Sequence, residues 1–262
     1  MSKLFDLTGK TAFVTGAASG LGYAMAEGFA EHGAVVTLAD ADRAGLDKAV
    51  AKLNAAGYQA MAVELDVREP AAIRTAVAGA AKHYGKMDIV VANAGITGGP
   101  PISEEAGHIE NIDLETWNNV VKINQTGVFA TLQAAAAVMK PQKSGRIIVT
   151  ASISGLRTSE VSGYPYTVTK AAVIHMVHLA AIELAPYNIL VNGVAPGPFM
   201  TNIAGGRLFR EPERAKAMAN SVPLKRMADP QEIKGLALLL ASGAGSFITG
   251  QVIPIDGGST AL

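Results

Sequence analysis

A tyrosine and a lysine stand four positions apart, as Tyr166 and Lys170 of the segment Tyr-Thr-Val-Thr-Lys. On a helix this spacing places two side chains on one face, one turn apart. A phenol ionises at a pKa near ~10, which is too high for efficient acid–base catalysis at neutral pH. A neighbouring ammonium favours the phenolate and lowers that pKa. The pair therefore predicts a tyrosine that exchanges a proton with substrate, although the same spacing also occurs by chance on helix surfaces.

A glycine-rich turn, TGAASGLG, occupies residues 15–22 between an apolar run and a helical pattern. Glycines let the backbone turn sharply and approach a pyrophosphate, whose charge then faces the amino terminus of the helix. Any tight strand–helix connection can have this composition, but the position after the first strand favours a dinucleotide. The predicted cofactor contacts in this turn are Gly16, Ser19, Gly20, Leu21 and Gly22.

The choice between NAD and NADP depends on Asp40, which ends the second predicted strand. A carboxylate at this position can accept both ribose hydroxyls of an adenosine and repels a 2′-phosphate. Ala17, Ala18 and Ala41 offer no compensating cation, whereas Arg43 lies close enough to keep NADP open as an alternative. The sequence therefore favours NAD.

Further cofactor contacts are expected where the next two strands end. Asp66 and Val67 follow the third predicted strand, where they can reach the adenine, although Asp66 could equally be an ordinary turn residue. The tripeptide Asn93-Ala94-Gly95 follows the fourth strand. The carboxyl ends of parallel strands share one edge of a sheet, so these groups are predicted to meet.

The elements that must position these residues follow an alternation of short apolar runs and longer helical patterns, which is typical of a parallel sheet built from βαβ units. The predicted strands are 11–15, 34–39, 59–65, 88–92, 146–151, 189–194 and 251–255. The predicted helices are 20–32, 43–56, 70–84, 114–139, 165–186 and 230–241. Pro254 predicts that the last strand lies at a sheet edge. No linker, repeat or low-complexity segment divides the chain, so residues 1–262 are expected to form a single α/β domain.

Two segments, 97–113 and 198–222, do not fit the alternation. Long loops in compact domains are usually functional or disordered. Both follow the carboxyl ends of strands, where open α/β sheets bind ligands, so both are predicted to form the substrate site. The second is expected to act as a lid, in which Gly205-Gly206 supplies a hinge and Leu208, Phe209 and Met218 cover the pocket.

Composition excludes several classes of function. The 262-residue chain has a formal net charge of zero and 5% aromatic residues, which argues against a nucleic-acid partner. It contains no cysteine, so disulfides and thiolate chemistry are excluded. No signal peptide and no uninterrupted apolar stretch of ~20 residues are visible, so a cytoplasmic protein without a membrane partner is expected. Only 17% of the residues are charged while 49% are hydrophobic, which favours self-association.

These segments resemble the short-chain dehydrogenase/reductase family in its single-domain form. TGAASGLG (15–22), NAG (93–95), Asn124, Ser152, YTVTK (166–170), PGPFMT (196–201) and IDGG (255–258) occur in the order of the family and cover nearly the whole chain. The resemblance implies a Rossmann-type doubly wound parallel sheet of seven strands in the order 3-2-1-4-5-6-7, with three helices on each face. It also implies a homotetramer with dihedral symmetry.

The resemblance further implies a catalytic tetrad of Asn124, Ser152, Tyr166 and Lys170. Tyr166 would exchange a proton with the substrate oxygen, which Ser152 would hold. Lys170 would lower the pKa of Tyr166, helped by the positive nicotinamide ring, and would bind the nicotinamide ribose. Asn124 would anchor a water that links Lys170 to solvent. Ser154 competes with Ser152, which is chosen because it lies three residues before Gly155, as in the family.

The remaining family positions concern the cofactor and the reaction. Pro196, Gly197 and Thr201 are implied to contact the nicotinamide end, with Thr201 bound to the carboxamide. The segment ELAPYNI (183–189) lacks an arginine that carrier-protein reductases of the family often have. His175 and His178 have no evident third partner, so no metal site is predicted.

The sequence thus predicts an NAD-dependent oxidoreductase that interconverts a secondary alcohol and a ketone, both small molecules, by hydride transfer. An NADPH-dependent carbonyl or 3-oxoacyl reductase is the alternative enzyme. A regulatory protein that senses NAD without turnover is the alternative outside enzymes, but such a protein would not need Tyr166 beside Lys170.

Overall fold

A computed structural model describes residues 3–201, 203 and 210–261. In these residues seven parallel strands form one sheet in the order β3-β2-β1-β4-β5-β6-β7. The strands are β1 (Thr11–Thr15), β2 (Val35–Asp40), β3 (Ala60–Glu64), β4 (Ile89–Ala92), β5 (Gly145–Thr150), β6 (Ile189–Pro196) and β7 (Val252–Ile255). The strand order and the parallel pairing confirm the predicted doubly wound sheet.

Helices connect the strands and cover both faces of the sheet. They are α1 (Gly20–Glu31), α2 (Arg43–Ala55), α3 (Pro70–Tyr84), α4 (Leu114–Val121), α5 (Gly127–Gln142), α6 (Tyr164–Leu184), α7 (Pro212–Ser221) and α8 (Ile233–Ala241). Within the described ranges, α1, α2 and α8 pack into one core and α3, α5 and α6 into the other, as predicted.

Alternate residues of β1 show how the sheet separates the two cores. Ala12 and Val14 pack with α1, whereas Phe13 packs on the opposite face with α3 and α5. Successive side chains of a strand point to opposite faces, and here both faces are covered. This explains why the strand sequences are apolar throughout instead of alternating with polar residues.

The predicted helix 114–139 is not continuous. It is divided into α4 and α5 by a π-helical turn over Lys122–Thr126, and α5 extends to Gln142. A π-helical turn inserts a residue into an α-helix and often occurs at functional sites. This turn carries Asn124.

The proline of the last strand lies at the edge of the sheet. Pro254 aligns with Ala195 of β6, and β7 is the final strand in the sheet order. A proline lacks the backbone N–H that a second neighbouring strand would require. The prediction of an edge strand is confirmed.

One segment of the described chain, Tyr164–Tyr187, is long and apolar enough to cross a membrane by length and composition alone. It consists of α6 and the short 3₁₀ helix that follows. Val173 and Val177 of this segment are fully buried and belong to the core between α6 and the sheet.

Candidate active site

A cavity of about 690 Å³ lies at the carboxyl ends of the strands. Its volume is within the usual range for ligand pockets. Sixteen of the predicted site residues line it: Gly16, Ser19, Gly20, Leu21, Asp40, Asp66, Val67, Asn93, Ala94, Gly95, Ser152, Tyr166, Lys170, Pro196, Gly197 and Thr201. The predicted residues Gly22 and Asn124 do not line the cavity.

The turn between β1 and α1 depends on two glycines for different reasons. Gly16 has a φ of +65°, and a Cβ built on it would lie 2.7 Å from the Cα of Ala94. A Cβ on Gly22 would collide with the carbonyl of Gly16. Gly22 therefore lets the helix pack against the turn, and its contact with the cofactor stays a prediction. The turn offers a backbone surface that a pyrophosphate can approach closely.

Asn93 connects the ends of three strands beneath this turn. Its Nδ2 atom donates hydrogen bonds to the carbonyls of Thr15 and Gly16, each at 3.0 Å. Its Oδ1 atom accepts a hydrogen bond from Thr150 Oγ1 at 3.0 Å. Asn93 therefore supports the glycine turn from below, a structural role in addition to the predicted cofactor contact.

Asp40 faces the cavity without a cationic partner. Its Oδ2 atom accepts a hydrogen bond from Ala18 N at 3.0 Å, and its Oδ1 atom accepts one from Asp42 N at 3.1 Å. Arg43, the residue that kept NADP open, instead pairs with Asp47 at 3.0 Å. No ion pair in the described part of the chain involves Asp40. The free lone pairs of the carboxylate are suited to ribose hydroxyls.

At the predicted adenine end, Asp66 is held by an arginine. Arg68 Nε and Nη2 donate hydrogen bonds to Asp66 Oδ2 at 2.8 Å and 2.5 Å. The guanidinium holds the pKa of Asp66 below its ordinary value. Arg68 also lines the cavity and was not predicted as a site residue, because no motif marks it.

Tyr166 and Lys170 lie in the first two turns of α6, as their spacing predicted. The Lys170 Nζ atom is 5.7 Å from the centroid of the Tyr166 ring. Lys170 is buried, and its Nζ donates a hydrogen bond to the Thr150 carbonyl at 2.7 Å. No other described residue accepts a hydrogen bond from this ammonium, so two of its three donors are available to a ribose. Burial lowers the pKa of Lys170 to about 8.

In the cofactor-free protein, the pKa of Tyr166 is raised rather than lowered. Burial raises it above the ordinary value, and a hydrogen bond with Ser152 opposes this only in part. A lysine whose pKa is about 8 is already neutral in the pH range where such a tyrosine titrates. Lys170 alone therefore does not lower the pKa of Tyr166 in the cofactor-free protein. The predicted lowering concerns the complex with the oxidised cofactor and stays a prediction.

Ser152 is positioned by a short turn that packs against α6. It caps the 3₁₀ helix Ile153–Gly155, and its Oγ accepts a hydrogen bond from Ser154 N at 3.1 Å. A Cβ on Gly155 would lie 2.5 Å from the carbonyl carbon of Lys170, so a glycine lets this turn contact the helix. The competing Ser154 instead pairs with Ser162, Oγ to Oγ, at 3.1 Å. Both serines line the cavity, so the choice of Ser152 stays a prediction.

Asn124 is fully buried and joins the π-helical turn to the segment after β4. Its Oδ1 accepts a hydrogen bond from Ile96 N, and its Nδ2 donates one to Ile96 O, both at 2.8 Å. A Cβ built on Gly95 would lie 3.3 Å from Asn124 Oδ1 and 3.6 Å from Lys170 Nζ. Asn124 is thus close to the lysine but does not line the cavity. That it anchors a water linking Lys170 to solvent stays a prediction.

One further prediction from the sequence concerns a metal site. His175 and His178 contact each other edge to face, with ring centroids 5.9 Å apart. Among residues 3–201, 203 and 210–261, no group of three or more His, Cys, Asp or Glu side chains is arranged to hold a metal ion.

Both predicted loops contribute to the cavity. The first supplies Thr97, Gly98, Gly99 and Pro101; the second supplies Phe199, Thr201, Ile203, Arg214, Met218 and Ser221. Arg214 Nη1 lies 3.9 Å from Glu104 Oε1, which connects the two loops. The predicted hinge Gly205-Gly206 and the predicted cover residues Leu208 and Phe209 lie outside the described residues.

We expect α7 to close over the cavity when ligands bind. None of its residues is buried, and elements with few buried contacts open at low free-energy cost. Amide hydrogen exchange of 212–221 should therefore slow when NADH and a substrate analogue are added together. Amides of α3, which does not line the cavity, serve as the internal reference. Unchanged protection in α7 would contradict its assignment as a lid.

Comparison with known proteins places the chain among relatives of similar length. A family model described as enoyl-(acyl carrier protein) reductase matches residues 16–260. The 5-keto-D-gluconate 5-reductase of Escherichia coli (strain K12) is 35% identical and is matched over 98% of each chain. Sorbose reductase SOU1 of Candida albicans is 34% identical over 98% of this chain and 89% of its own length.

Solved structures agree with these matches. A protein from Beutenbergia cavernae, described as a candidate NAD(P)-dependent gluconate 5-dehydrogenase and holding NADP at low occupancy, is 30% identical. It superposes with a TM-score of 0.90, covering 99% of this chain and 100% of its own. The chain belongs to the short-chain dehydrogenase/reductase family, whose members bind a nicotinamide cofactor.

Proposed function

We propose that the protein is an NAD-dependent oxidoreductase that interconverts a secondary alcohol and a ketone by hydride transfer. The observation that carries the proposal is that one cavity joins the glycine turn and Asp40 to Ser152, Tyr166 and Lys170. Relatives named as ketone reductases support an alcohol–ketone oxidoreductase. We also propose that residues 1–262 act as a single domain, because one sheet positions both halves of this cavity.

When bound, the nicotinamide would supply or accept the hydride. The Ser152 hydroxyl would donate a hydrogen bond to the substrate oxygen and hold its carbon toward the cofactor. Tyr166 would give its phenolic proton to that oxygen during reduction and take a proton from it during oxidation. Lys170 would bind the ribose hydroxyls with the two donors that Thr150 leaves free.

Because burial raises the pKa of Tyr166, cofactor binding must lower that pKa before the phenol can exchange its proton readily near neutral pH. Bringing a phenol from ~10 to ~7 requires about 4 kcal/mol of differential stabilisation, at ~1.4 kcal/mol per pKa unit. The Tyr166 phenolate would gain this from a cationic nicotinamide and from a Lys170 that keeps its proton in contact with the ribose. Acid–base catalysis by Tyr166 would therefore depend on prior cofactor binding.

The choice of NAD follows from the unpaired carboxylate of Asp40 and from the pairing of Arg43 with Asp47. The NADPH-dependent carbonyl reductase stays the second candidate, because a relative holds NADP. Initial rates with NAD and NADP across a panel of secondary alcohols, and with NADH and NADPH across the matching ketones, test the proposal. Turnover of none of these substrates with either cofactor would contradict it.

We expect a homotetramer in solution. Leu179 and Ile182 on α6 and Phe129 on the adjoining α5 are 61%, 77% and 53% exposed, and Phe247 before β7 is fully exposed. Apolar side chains on two separate surfaces suit the two interfaces of a dihedral assembly. Multi-angle light scattering at micromolar concentration should return about four times the 27.0 kDa chain mass. A mass near that of one chain would contradict the assembly.

Replacement of an exposed apolar residue provides a matched pair of variants for this test. Ile182→Glu should dissociate the α6 interface and leave a smaller species. Val161, which is also exposed but lies in the loop before α6, serves as the control in the form Val161→Glu. Equal masses for both variants would place the interface elsewhere.

A further inference from the structure

The charged residues that line the cavity are divided between its two ends. Among the described lining residues, the acids are Asp40 and Asp66, which lie beside β2 and β3. Arg68 forms an ion pair with Asp66, so that end of the cavity carries no excess positive charge. Arg157 and Arg214 line the other end, where no described acid lines the wall.

Arg157 has no partner in the described part of the chain. It lies two residues after the turn that carries Ser152, and its side chain is exposed. Its guanidinium makes no hydrogen bond or ion pair with a described residue. Because Arg157 follows β5 and lines the cavity, it lies on the β5 side of the cavity.

Arg214 reaches the same cavity from α7. Its Nη1 atom is 3.9 Å from carboxylate oxygens of Glu104 and Glu211, at the outer limit of an ion pair. It donates no hydrogen bond to a described residue. Both arginines therefore present N–H donors that a ligand can use.

The position of Arg157 separates it from the predicted pyrophosphate site. The glycine turn follows β1, whereas Arg157 follows β5, and β4 lies between these strands in the sheet. Ser152 and Tyr166 lie on the β5 side as well. The unpaired guanidinium of Arg157 is thus on the same side of the sheet as the groups that would hold the substrate.

Hydroxyl groups line the same end of the cavity: Ser154, Ser159, Ser162, Ser221 and Ser259. Ser154 and Ser162 lie 3.1 Å apart and share one hydrogen bond, which leaves further donor and acceptor capacity. A wall of this kind matches a substrate with several hydroxyls better than a hydrocarbon.

We propose that the substrate is a polyhydroxylated carboxylic acid or its keto form, whose carboxylate is bound by Arg157 and Arg214. This inference rests on the proposed function. Arginine binds carboxylates through charge-assisted and often bidentate hydrogen bonds. The names of the relatives include both a charged keto acid and a neutral ketose, so the two arginines carry the inference.

Two ketones provide a matched pair of substrates. In 5-keto-D-gluconate and L-sorbose the carbon chain and the position of the ketone are the same, and only a carboxylate replaces a hydroxymethyl group. The wild type should favour the keto acid at least tenfold in kcat/KM. Arg157→Gln should reduce that preference about tenfold, mainly through KM, and the double variant with Arg214→Gln should abolish it. Arg74→Gln, on the exposed face of α3, is the control.

Binding provides a readout that does not require turnover. With NADH present, D-gluconate should raise the melting temperature more than D-glucitol at matched ionic strength, and the double variant should lose this difference. Turnover of neutral alcohols with no preference for the acids would overturn this inference and leave the proposed function intact. Absence of all turnover, with selective gluconate binding, would overturn the proposed function instead. Equal binding of gluconate and glucitol would overturn the carboxylate site.

Discussion

Replacing Tyr166 by phenylalanine is expected to lower kcat by about a hundredfold to ten-thousandfold, in both directions, while NADH binding is retained. The substitution removes the hydroxyl and almost no volume, so the ring keeps its place on α6. Ser152 and Lys170 remain, but neither can replace a proton donor at the phenolic oxygen. The rate is measured from NADH absorbance, and the dissociation constant from quenching of protein fluorescence.

Tyr164→Phe is the matched control. Tyr164 lies in the same turn of α6 but does not line the cavity, so the same chemical change there should leave kcat within a factor of about two. A Tyr166→Phe enzyme that retains more than a tenth of the wild-type rate would contradict the assignment of the general acid–base group.

The pH dependence should change with the same substitution. Burial raises the pKa of Tyr166, so the phenol keeps its proton at neutral pH in the free enzyme. Oxidation of an alcohol needs the deprotonated form, and at saturating NAD its kcat/KM should rise with pH toward the pKa of Tyr166 in the enzyme–NAD complex, which the cationic nicotinamide lowers. Reduction starts from the complex with neutral NADH, needs the protonated form, and should fall only at a higher pH. The residual rates of Tyr166→Phe should not show the pH dependence that arises from ionisation of this phenol.

Much of the fold follows from patterns that are local in sequence. Apolar runs of strand length, such as those at 11–15 and 146–151, have no polar face, and only a sheet covered on both sides accommodates them. The strand order came from the family resemblance instead, because strand order depends on contacts between distant residues. The π-helical turn at Asn124 was not predictable, because the helical periodicity of 114–139 continues across it without a proline or a glycine cluster.

The candidate site was predictable to the extent that motifs mark it. Residues next to glycines or at strand ends, such as Asp40 and Ser152, carry recognisable spacing. Thr150, which ends β5 and accepts a hydrogen bond from Lys170, and Arg157, which follows the next turn, carry none, because their contacts depend on how the later chain folds back onto the sheet. The direction of the pKa of Tyr166 was also beyond sequence reasoning, since it depends on burial, and spacing to Lys170 reports only proximity.

Asp40→Ala is expected to move the ratio of kcat/KM for NAD over kcat/KM for NADP by about two orders of magnitude toward NADP. Hydrogen bonds to a charged group contribute about 1.5–3 kcal/mol, so their loss weakens use of NAD by roughly tenfold to a hundredfold. Removal of the carboxylate also ends its repulsion of a 2′-phosphate, which favours NADP separately.

Asp40 also accepts a hydrogen bond from Ala18 N, so the variant could loosen the glycine turn itself. That structural effect would lower kcat/KM for NAD and for NADP together. The electrostatic effect would lower kcat/KM for NAD and raise it for NADP. Steady-state kinetics with each cofactor distinguishes the two. Glu64→Gln is the control, because Glu64 aligns with Asp40 on the neighbouring strand but does not line the cavity. It removes a nearby charge and should leave the ratio unchanged. A wild type that already prefers NADP would refute the role assigned to Asp40, since a carboxylate without a cationic partner at the ribose cannot favour a phosphate there.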